Sequence, residues 1–203
     1  AGEVLTERYL AKTDATLVSY RSAHDTYAPG TPYWLTETGD AAMGGNTWAP
    51  TWLDVPRYVD QLGRLAKQGV TCVMHNTLCA SDYALLDPAT HSPRPKYWAA
   101  LLWARVMGTT VYEVGIPLHE GLHAYAHSAR DGVGYGVVLI NTSQTAETLV
   151  HVAHDGLAWQ LTADALRGEQ VRCNGAELLM EDDHNLPEMP GVAHSAGLLR
   201  LPA

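Results

Sequence analysis

Two short apolar runs separated by a helix-like segment constrain the fold of this chain most strongly. The runs at 32–37 and 70–78 have the length and composition of short strands. The segment 51–69 between them places its apolar residues on one helical face, and Gly69 marks its end. Two strands joined through a helix form a βαβ unit with parallel strands. Such a pair needs neighbours to cover its edges and apolar faces.

The residues on either side of this unit divide the chain into two parts. Helical spacing over 4–28, with Thr6 as the N-cap, and over 94–108 predicts a helix on each side of the unit. After 108 the pattern changes to short alternating runs separated by Gly, Asp, Asn and Ser, which is typical of a β-sandwich. We therefore predict an α/β part at 1–108 and an all-β part at 109–203. A complete (β/α)8 barrel takes about 250 residues, so only the last quarter of one fits here.

Composition excludes some partners. The formal net charge is −9, which argues against a nucleic-acid binder, because such a protein needs a basic face to neutralise phosphates. No apolar run approaches the roughly 20 residues that span a bilayer, so no membrane partner is predicted. The three cysteines are too few and too scattered for a disulfide framework or a zinc ribbon, and they are predicted to be buried thiols.

The motif HEGLH at 119–123 matches the H-E-x-x-H pattern of zinc metalloproteases. That chemistry needs a helix, on which both histidines face one metal ion. Gly121 weakens a helix, and the alternation through 127 has a period of two, which favours a strand with His123, Tyr125 and His127 on one face. No metal or cofactor is predicted. A zinc metalloprotease and a non-catalytic carbohydrate-binding module, working through the sandwich, remain the alternative functions.

Glu37 is the leading catalytic candidate. It ends a strand that precedes a helix, a position that lies on the active-site face of a (β/α)8 barrel. Asn76 and Tyr83 follow the next strand, so the three polar groups are expected to converge. Trp48, in the loop after Glu37, is a candidate for lining a sugar site. From the residues alone, Glu37 is equally explained as a solvated strand end.

Three segments carry a family resemblance: WLTETGDAAMGGNTW, WLDVPRYVDQLGRLAKQGVTCVMHNTLCASDYALLD and RPKYWAALLWARVMGTTVYE. Together they resemble the C-terminal half of the heparanase-like β-glucuronidases, glycoside hydrolase family 79. The resemblance is specific over 33–112 and looser in the later, sandwich-like part. It implies a retaining glycosidase in which this chain supplies the C-terminal part of a TIM barrel, around strands 7 and 8, followed by a β-sandwich. The last sandwich strand of the family is expected to be missing.

The resemblance also implies roles for individual residues. Glu37 matches the catalytic nucleophile at the end of barrel strand seven. Gly44 and Gly45 match glycines whose N–H groups bind the uronate carboxylate, and Tyr83 matches a tyrosine whose hydroxyl binds the same carboxylate. Asn76 stands where the family has an amide that faces the sugar.

One half of the catalytic pair is not found in this chain. The family's acid/base lies in an Asn-Glu pair, and no such pair occurs in the 203 residues. The chain is therefore expected to be inactive alone and to require the N-terminal half of the same enzyme as a second chain. The implied substrate is a saccharide containing glucuronic acid, such as heparan sulfate or another glycosaminoglycan. Exo-acting β-glucuronidase and endo-acting heparanase remain open, and the acidic, lysine-poor chain favours exo-action.

Overall fold

A computed structural model describes residues 2–180, 182 and 185–203. Its first part alternates helices and strands in the predicted order. The helices are α1 (Glu7–Leu10), α2 (Lys12–Tyr27), α3 (Asp54–Lys67) and α4 (Pro95–Val106), and the strands are β1 (Tyr33–Thr38) and β2 (Val70–His75). The single helix predicted over 4–28 is divided at Ala11, and Thr6 caps α1 by accepting a hydrogen bond from the N–H of Tyr9.

Strands β1 and β2 pair in parallel, as the βαβ interpretation predicts. Leu35 lies opposite Val73, and both pack with Leu17 of α2 and Leu65 of α3. Because side chains alternate across a strand, their sequence neighbours point to the other face. Trp34 and Met74 are such neighbours, and they are 54% and 43% exposed. The pair is thus covered by helices on one face and open on the other.

Helix α3 lies at the centre of the molecule and buries charged as well as apolar side chains. Pro56 lies in its first turn, where a missing N–H costs no hydrogen bond. Its buried polar residues recur at helical spacing of three or four residues: Asp54, Arg57, Asp60 and Arg64. Each of these has a partner of opposite charge. The buried face of α3 therefore carries an ionic layer beside its apolar contacts.

The second part of the chain consists of short strands in antiparallel pairs. The strands are β3 (Met107–Tyr112), β4 (His123–Ala129), β5 (Tyr135–Ile140), β6 (Thr148–Val152), β7 (Gly156–Ala158), β8 (Leu161–Thr162), β9 (Arg172–Cys173), β10 (Ala176–Glu177), β11 (Val192–His194) and β12 (Gly197–Leu201). They form the sheets β3-β4-β5, β8-β9-β10, β7-β11 and β6-β12. The change from helices to strands occurs at Met107, next to the predicted boundary. That these sheets form one sandwich domain stays a prediction.

The two parts meet at α3 and α4. The Tyr125 ring of β4 lies over Gly63 of α3, where a Cβ atom would approach the ring to 2.4 Å. Trp98 and Leu102 of α4 pack in one core with residues of the second part, including Val171. These contacts leave no room for a larger side chain at Gly63 and fix the β3-β4-β5 sheet against the helices.

Two of the three cysteines are less buried than the sequence predicts. Cys173 is buried, whereas Cys72 and Cys79 are partly exposed, so the prediction of buried thiols is wrong for these two. Cys72 lies opposite Trp34 on the open face of the parallel pair, and Cys79 lies in the loop after β2, where cover is incomplete. Among the described residues, no helix has the length and hydrophobicity needed to cross a membrane.

Candidate active site

The carboxyl ends of β1 and β2 bring Glu37 and Asn76 together. Since the strands are parallel, their ends lie at the same edge, and the Asn76 N–H continues the pairing by donating to the Thr38 carbonyl at 2.8 Å. The Asn76 side chain Nδ2 donates to Glu37 Oε1 at 2.7 Å. The peptide bond that follows Asn76 is cis. One Glu37 oxygen is thus held by an amide, and the exposed carboxylate faces outward from the strand end.

Tyr83 joins the same group from the loop after β2. Its hydroxyl oxygen accepts a hydrogen bond from Asn76 Nδ2 at 3.3 Å, and the residue is only 8% exposed. A hydroxyl both donates and accepts, so accepting from Asn76 leaves the phenolic hydrogen for another acceptor. The predicted convergence of Glu37, Asn76 and Tyr83 is therefore present in the structure.

The glycine-rich loop after β1 packs against the Tyr83 ring. Gly44 and Gly45 have φ values of +96° and +91°, which side chains with a Cβ rarely adopt. A Cβ atom at Gly45 would lie 2.7 Å from the Tyr83 ring and 2.7 Å from Asp40 Oδ1. Within the described residues, the N–H groups of Gly44 and Gly45 donate no hydrogen bond. The loop thus presents two half-buried backbone donors beside the tyrosine.

Two contacts fix the shape of this loop. Asp40 Oδ2 accepts from the backbone N–H and the side-chain Nδ2 of Asn46, at 2.9 and 2.8 Å. The N–H of Asp82 donates to the Gly44 carbonyl at 3.0 Å, which ties the glycine loop to the loop that carries Tyr83. Trp48 is 7% exposed and packs with Val4 and Leu53. That Trp48 lines a sugar site therefore stays a prediction, which its burial does not favour.

A buried layer behind Tyr83 was missed by sequence reasoning. Lys96 Nζ and His75 Nε2 both donate to the Tyr83 carbonyl oxygen, at 2.8 and 2.7 Å. Burial lowers the pKa of Lys96, while the adjacent Asp54 carboxylate opposes that change. Burial also lowers the pKa of His75, the hydrogen bond to Tyr83 opposing it. The sequence feature that could have indicated this layer is the lysine in RPKYWAALL, at the start of an otherwise apolar helix.

The HEGLH segment does not form the helix that zinc chemistry requires. His119 and Leu122 form an isolated antiparallel bridge, and His123 begins β4. The fully buried His123 ring contacts Asp60 Oδ1 through Nδ1 at 2.5 Å. Its Nε2 lies 3.0 Å from a Glu7 oxygen, within ion-pair range but without hydrogen-bond alignment. The strand prediction is confirmed, and the metalloprotease alternative is wrong.

Comparison with known proteins places the chain in a family. No protein-family model matches it. It is 31% identical over 170 residues to heparanase-like protein 1 of Arabidopsis thaliana, a match that covers 83% of this chain and 31% of that protein. It is 32% identical over 116 residues to the baicalin-beta-D-glucuronidase of Scutellaria baicalensis, covering 56% of this chain and 22% of that protein. The chain belongs to the heparanase-like family, glycoside hydrolase family 79. It spans less than a third of the length of these relatives.

A solved structure shows the same fold as this heparanase-like chain. The GH51 arabinofuranosidase from Xanthomonas axonopodis pv. citri matches with a TM-score of 0.57 over 95% of this chain and 46% of that one. The sequence identity is 16%, so the likeness concerns the fold alone. The mixed helix and strand architecture is thus one that a glycoside hydrolase uses.

Proposed function

We propose that this chain is the nucleophile-bearing part of a retaining glycoside hydrolase that cleaves β-linked glucuronic acid residues. The observation that carries the proposal is the Asn76 amide, which bonds both the Glu37 carboxylate and the Tyr83 hydroxyl at one strand edge. The names of the relatives, a heparanase-like protein and a glucuronidase, support the substrate class.

Glu37 is the nucleophile in this proposal. With Oε1 held by Asn76, the second oxygen attacks the anomeric carbon and forms a glycosyl-enzyme ester. The glycosidic oxygen leaves with a proton from a second carboxyl group, which then takes a proton from water as that water hydrolyses the ester. Retention requires the two carboxyl groups to lie about 5–5.5 Å apart.

The second carboxyl group is proposed to come from outside this chain. Asp40 is bonded to Asn46, and Asp54 is fully buried beside Lys96. Asp87 accepts hydrogen bonds from the backbone N–H groups of 89 and 90 and lies in an ion pair with Arg94, 3.3 Å away. The resemblance places the acid/base in an Asn-Glu pair that does not occur in this chain, so it is assigned to the N-terminal half of the same enzyme, and this chain alone is expected to be inactive.

The substrate carboxylate is proposed to bind between Tyr83 and the glycine loop. Three neutral donors are proposed to bind it, namely the phenolic hydrogen of Tyr83 and the N–H groups of Gly44 and Gly45, whose loop packs against the Tyr83 ring at Gly45. Recognition by such donors needs no basic surface, which agrees with the net charge of −9. Exo-action on a terminal glucuronate is favoured over endo-action on heparan sulfate or another glycosaminoglycan.

The proposed architecture completes the open parallel pair. Residues 1–108 would form the C-terminal part of a TIM barrel around strands 7 and 8, with further strands paired to the free edges of β1 and β2. The exposed Trp34 and Met74 would then face the barrel interior. Residues 109–203 would form the β-sandwich, completed by one more strand.

The test is Glu37→Gln in the complete enzyme that contains this chain. Hydrolysis of an aryl β-glucuronide is expected to fall about a thousandfold or more, because the amide is a poor nucleophile. Binding of glucuronic acid should survive. Glu120→Gln, at an exposed loop position, is the matched control and should keep full activity.

A mechanism-based glucuronate inhibitor gives the second arm of this test. Peptide mass mapping should find the label on the peptide that contains Glu37, and the Gln variant should remain unlabelled. Hydrolysis near the wild-type rate in E37Q would overturn the nucleophile assignment. Glucuronate binding without any hydrolysis by the wild-type complete enzyme would favour a carbohydrate-binding module.

A further inference from the structure

The main chain of Tyr83 is fixed from behind by two buried donors. The Lys96 ammonium and the His75 imidazole both donate to the carbonyl oxygen of Tyr83, at 2.8 and 2.7 Å. A carbonyl oxygen has two lone pairs, and here both are used. Lys96 is fully buried, so no water competes for its bond to this oxygen. Tyr83 is consequently held at its backbone as well as at its hydroxyl.

The charge of Lys96 depends on residues at the start of α3. Its Nζ lies 2.6 Å from Asp54 Oδ2, and both side chains are fully buried. Asp54 also pairs with Arg57, so two cations share one carboxylate. Lys96 lies in the first turn of α4, where the helix dipole disfavours a positive charge.

Stability alone does not account for a buried lysine at this place. Replacing buried ion pairs by well-packed apolar residues is often neutral or stabilising. Without Lys96, the remaining Asp54 and Arg57 would still form a one-to-one pair. Lys96 makes two contacts, the ion pair with Asp54 Oδ2 and the hydrogen bond to the Tyr83 carbonyl oxygen, and the second of these points to a role at Tyr83.

Contacts of the Tyr83 ring and hydroxyl couple the position of its backbone to the rest of the site. Its ring is enclosed by the glycine loop, where a Cβ atom at Gly39 or Gly45 would approach it to 3.2 or 2.7 Å. Its hydroxyl lies 3.3 Å from the Asn76 amide that holds Glu37. A shift of the Tyr83 carbonyl would therefore move the hydroxyl relative to both.

We propose that Lys96 is a positioning residue that sets where the Tyr83 hydroxyl meets the substrate carboxylate. Through that hydroxyl, it determines the preference for a uronate over the matching neutral sugar. This inference rests on the proposed function, since it assigns the carboxylate to Tyr83. His75 shares the role through the same carbonyl oxygen.

The test compares two substrates on one sample of the complete enzyme. In Lys96→Met, kcat/KM for an aryl β-glucuronide is divided by kcat/KM for the matching aryl β-glucoside, which lacks the carboxylate. The ratio is expected to fall about tenfold, mainly through a higher KM for the glucuronide. A loss of folded protein affects both substrates equally and cancels in the ratio.

A double-variant cycle with Tyr83→Phe identifies the route. If Lys96 acts through the tyrosine hydroxyl, K96M should lower the ratio no further once that hydroxyl is removed. Lys67→Met is the matched lysine control and should leave the ratio unchanged, because Lys67 pairs with Glu113 far along α3. If K96M yields no folded protein, His75→Leu removes the other donor to the same oxygen and should lower the ratio similarly.

Two results would overturn the inference while leaving the proposed function intact. One is an unchanged substrate ratio in K96M, or in H75L where that variant replaces it. The other is an equal fall in the ratio with and without the Tyr83 hydroxyl. A wild-type enzyme that shows no preference for the glucuronide would instead overturn the carboxylate site itself, and this inference with it.

Discussion

Helix α3 carries two buried ionic clusters with opposite charge balance. The first, called here the site cluster, consists of Asp54, Arg57, Lys96 and His75. It lies behind Tyr83 and has two cations for one carboxylate. The second, called the joining cluster, consists of Asp60, Arg64, His123 and Tyr125, together with the carboxylates of Glu7 and Asp14 at its edge.

The joining cluster links segments that are far apart in sequence. Asp60 accepts from the Tyr125 hydroxyl and contacts the His123 ring, both at 2.5 Å and both on β4. Arg64 reaches Glu7 at 2.7 Å and also pairs with Asp14. One arginine here faces three carboxylates, so this cluster is rich in anions. The difference indicates that the joining cluster holds the two parts of the chain together, whereas the site cluster supports one loop.

Asp60→Asn should have the largest effect on stability. Asp60 Oδ1 faces the donors of His123 and Tyr125, and Oδ2 faces Arg64. An amide must turn its NH2 group toward one of these donor sets, which leaves buried donors without an acceptor. We expect the free energy of unfolding to fall by about 3–5 kcal/mol.

Urea denaturation of the two variants D60N and D14N checks this expectation. Asp14 binds the same Arg64, but its side chain is 40% exposed, so D14N should cost less than about 1 kcal/mol. Equal losses in the two variants would show that Asp60 has no special part in joining α3 to β4.

The two clusters should also lose their contributions to stability at different pH values. Burial lowers the pKa of His75 below its usual 6.5. The unfolded chain therefore binds a proton at His75 that the folded chain refuses, and stability falls as the pH drops from about 6.5 to the folded pKa. Burial alone would raise the pKa of Asp60. The hydrogen bond with His123 and the charge of Arg64 outweigh this effect, so the pKa of Asp60 lies below its usual 3.8. Its contribution is present above 3.8 and is lost as the pH falls through the folded pKa.

Unfolding measured between pH 8 and pH 3 separates these two effects. The wild-type curve minus that of His75→Gln should slope below about pH 6.5, by no more than about 1.4 kcal/mol per pH unit. The curve minus that of D60N should slope below about pH 4, where Asp60 of the folded chain takes up its proton. A D60N difference without a slope below about pH 4 would contradict the expected loss at Asp60.

Local sequence patterns predicted the elements that place the candidate site. Glu37 and Asn76 stand where short apolar runs give way to polar residues, and those positions became strand ends at one edge. The period of two through His123 and His127 predicted a strand against a matching zinc motif, and β4 confirms it. These predictions succeeded because strand alternation and turn residues act over a few positions.

Partners distant in sequence could not be predicted. Lys96 and Asp54 lie on different helices, and a lysine at a helix start is normally solvated. The short strand Val192–His194 was missed, since it is defined by pairing with Gly156–Ala158 rather than by its own pattern. The burial of Trp48 could not be predicted, because residues that cover it, such as Val4, lie more than 40 positions away.

The smallest effect is expected at the third ionic contact of α3. Lys67 Nζ lies 2.9 Å from Glu113 Oε2, just beyond the end of β3, with side chains 28% and 77% exposed. This pair joins the same two parts of the chain as the joining cluster does, but water and salt screen it. Lys67→Met should therefore change the free energy of unfolding by less than about 1 kcal/mol, and less again at high salt.

Urea midpoints of K67M and wild type at about 0.05 M and 1 M salt measure this effect against that of D60N. If burial decides which contact holds the two parts together, the urea midpoint of K67M stays near that of wild type, whereas the midpoint of D60N falls. A loss in K67M comparable to that in D60N would mean that proximity to α3, rather than burial of the charges, governs the joint. Position along α3 would then distinguish the contacts that hold the two parts together.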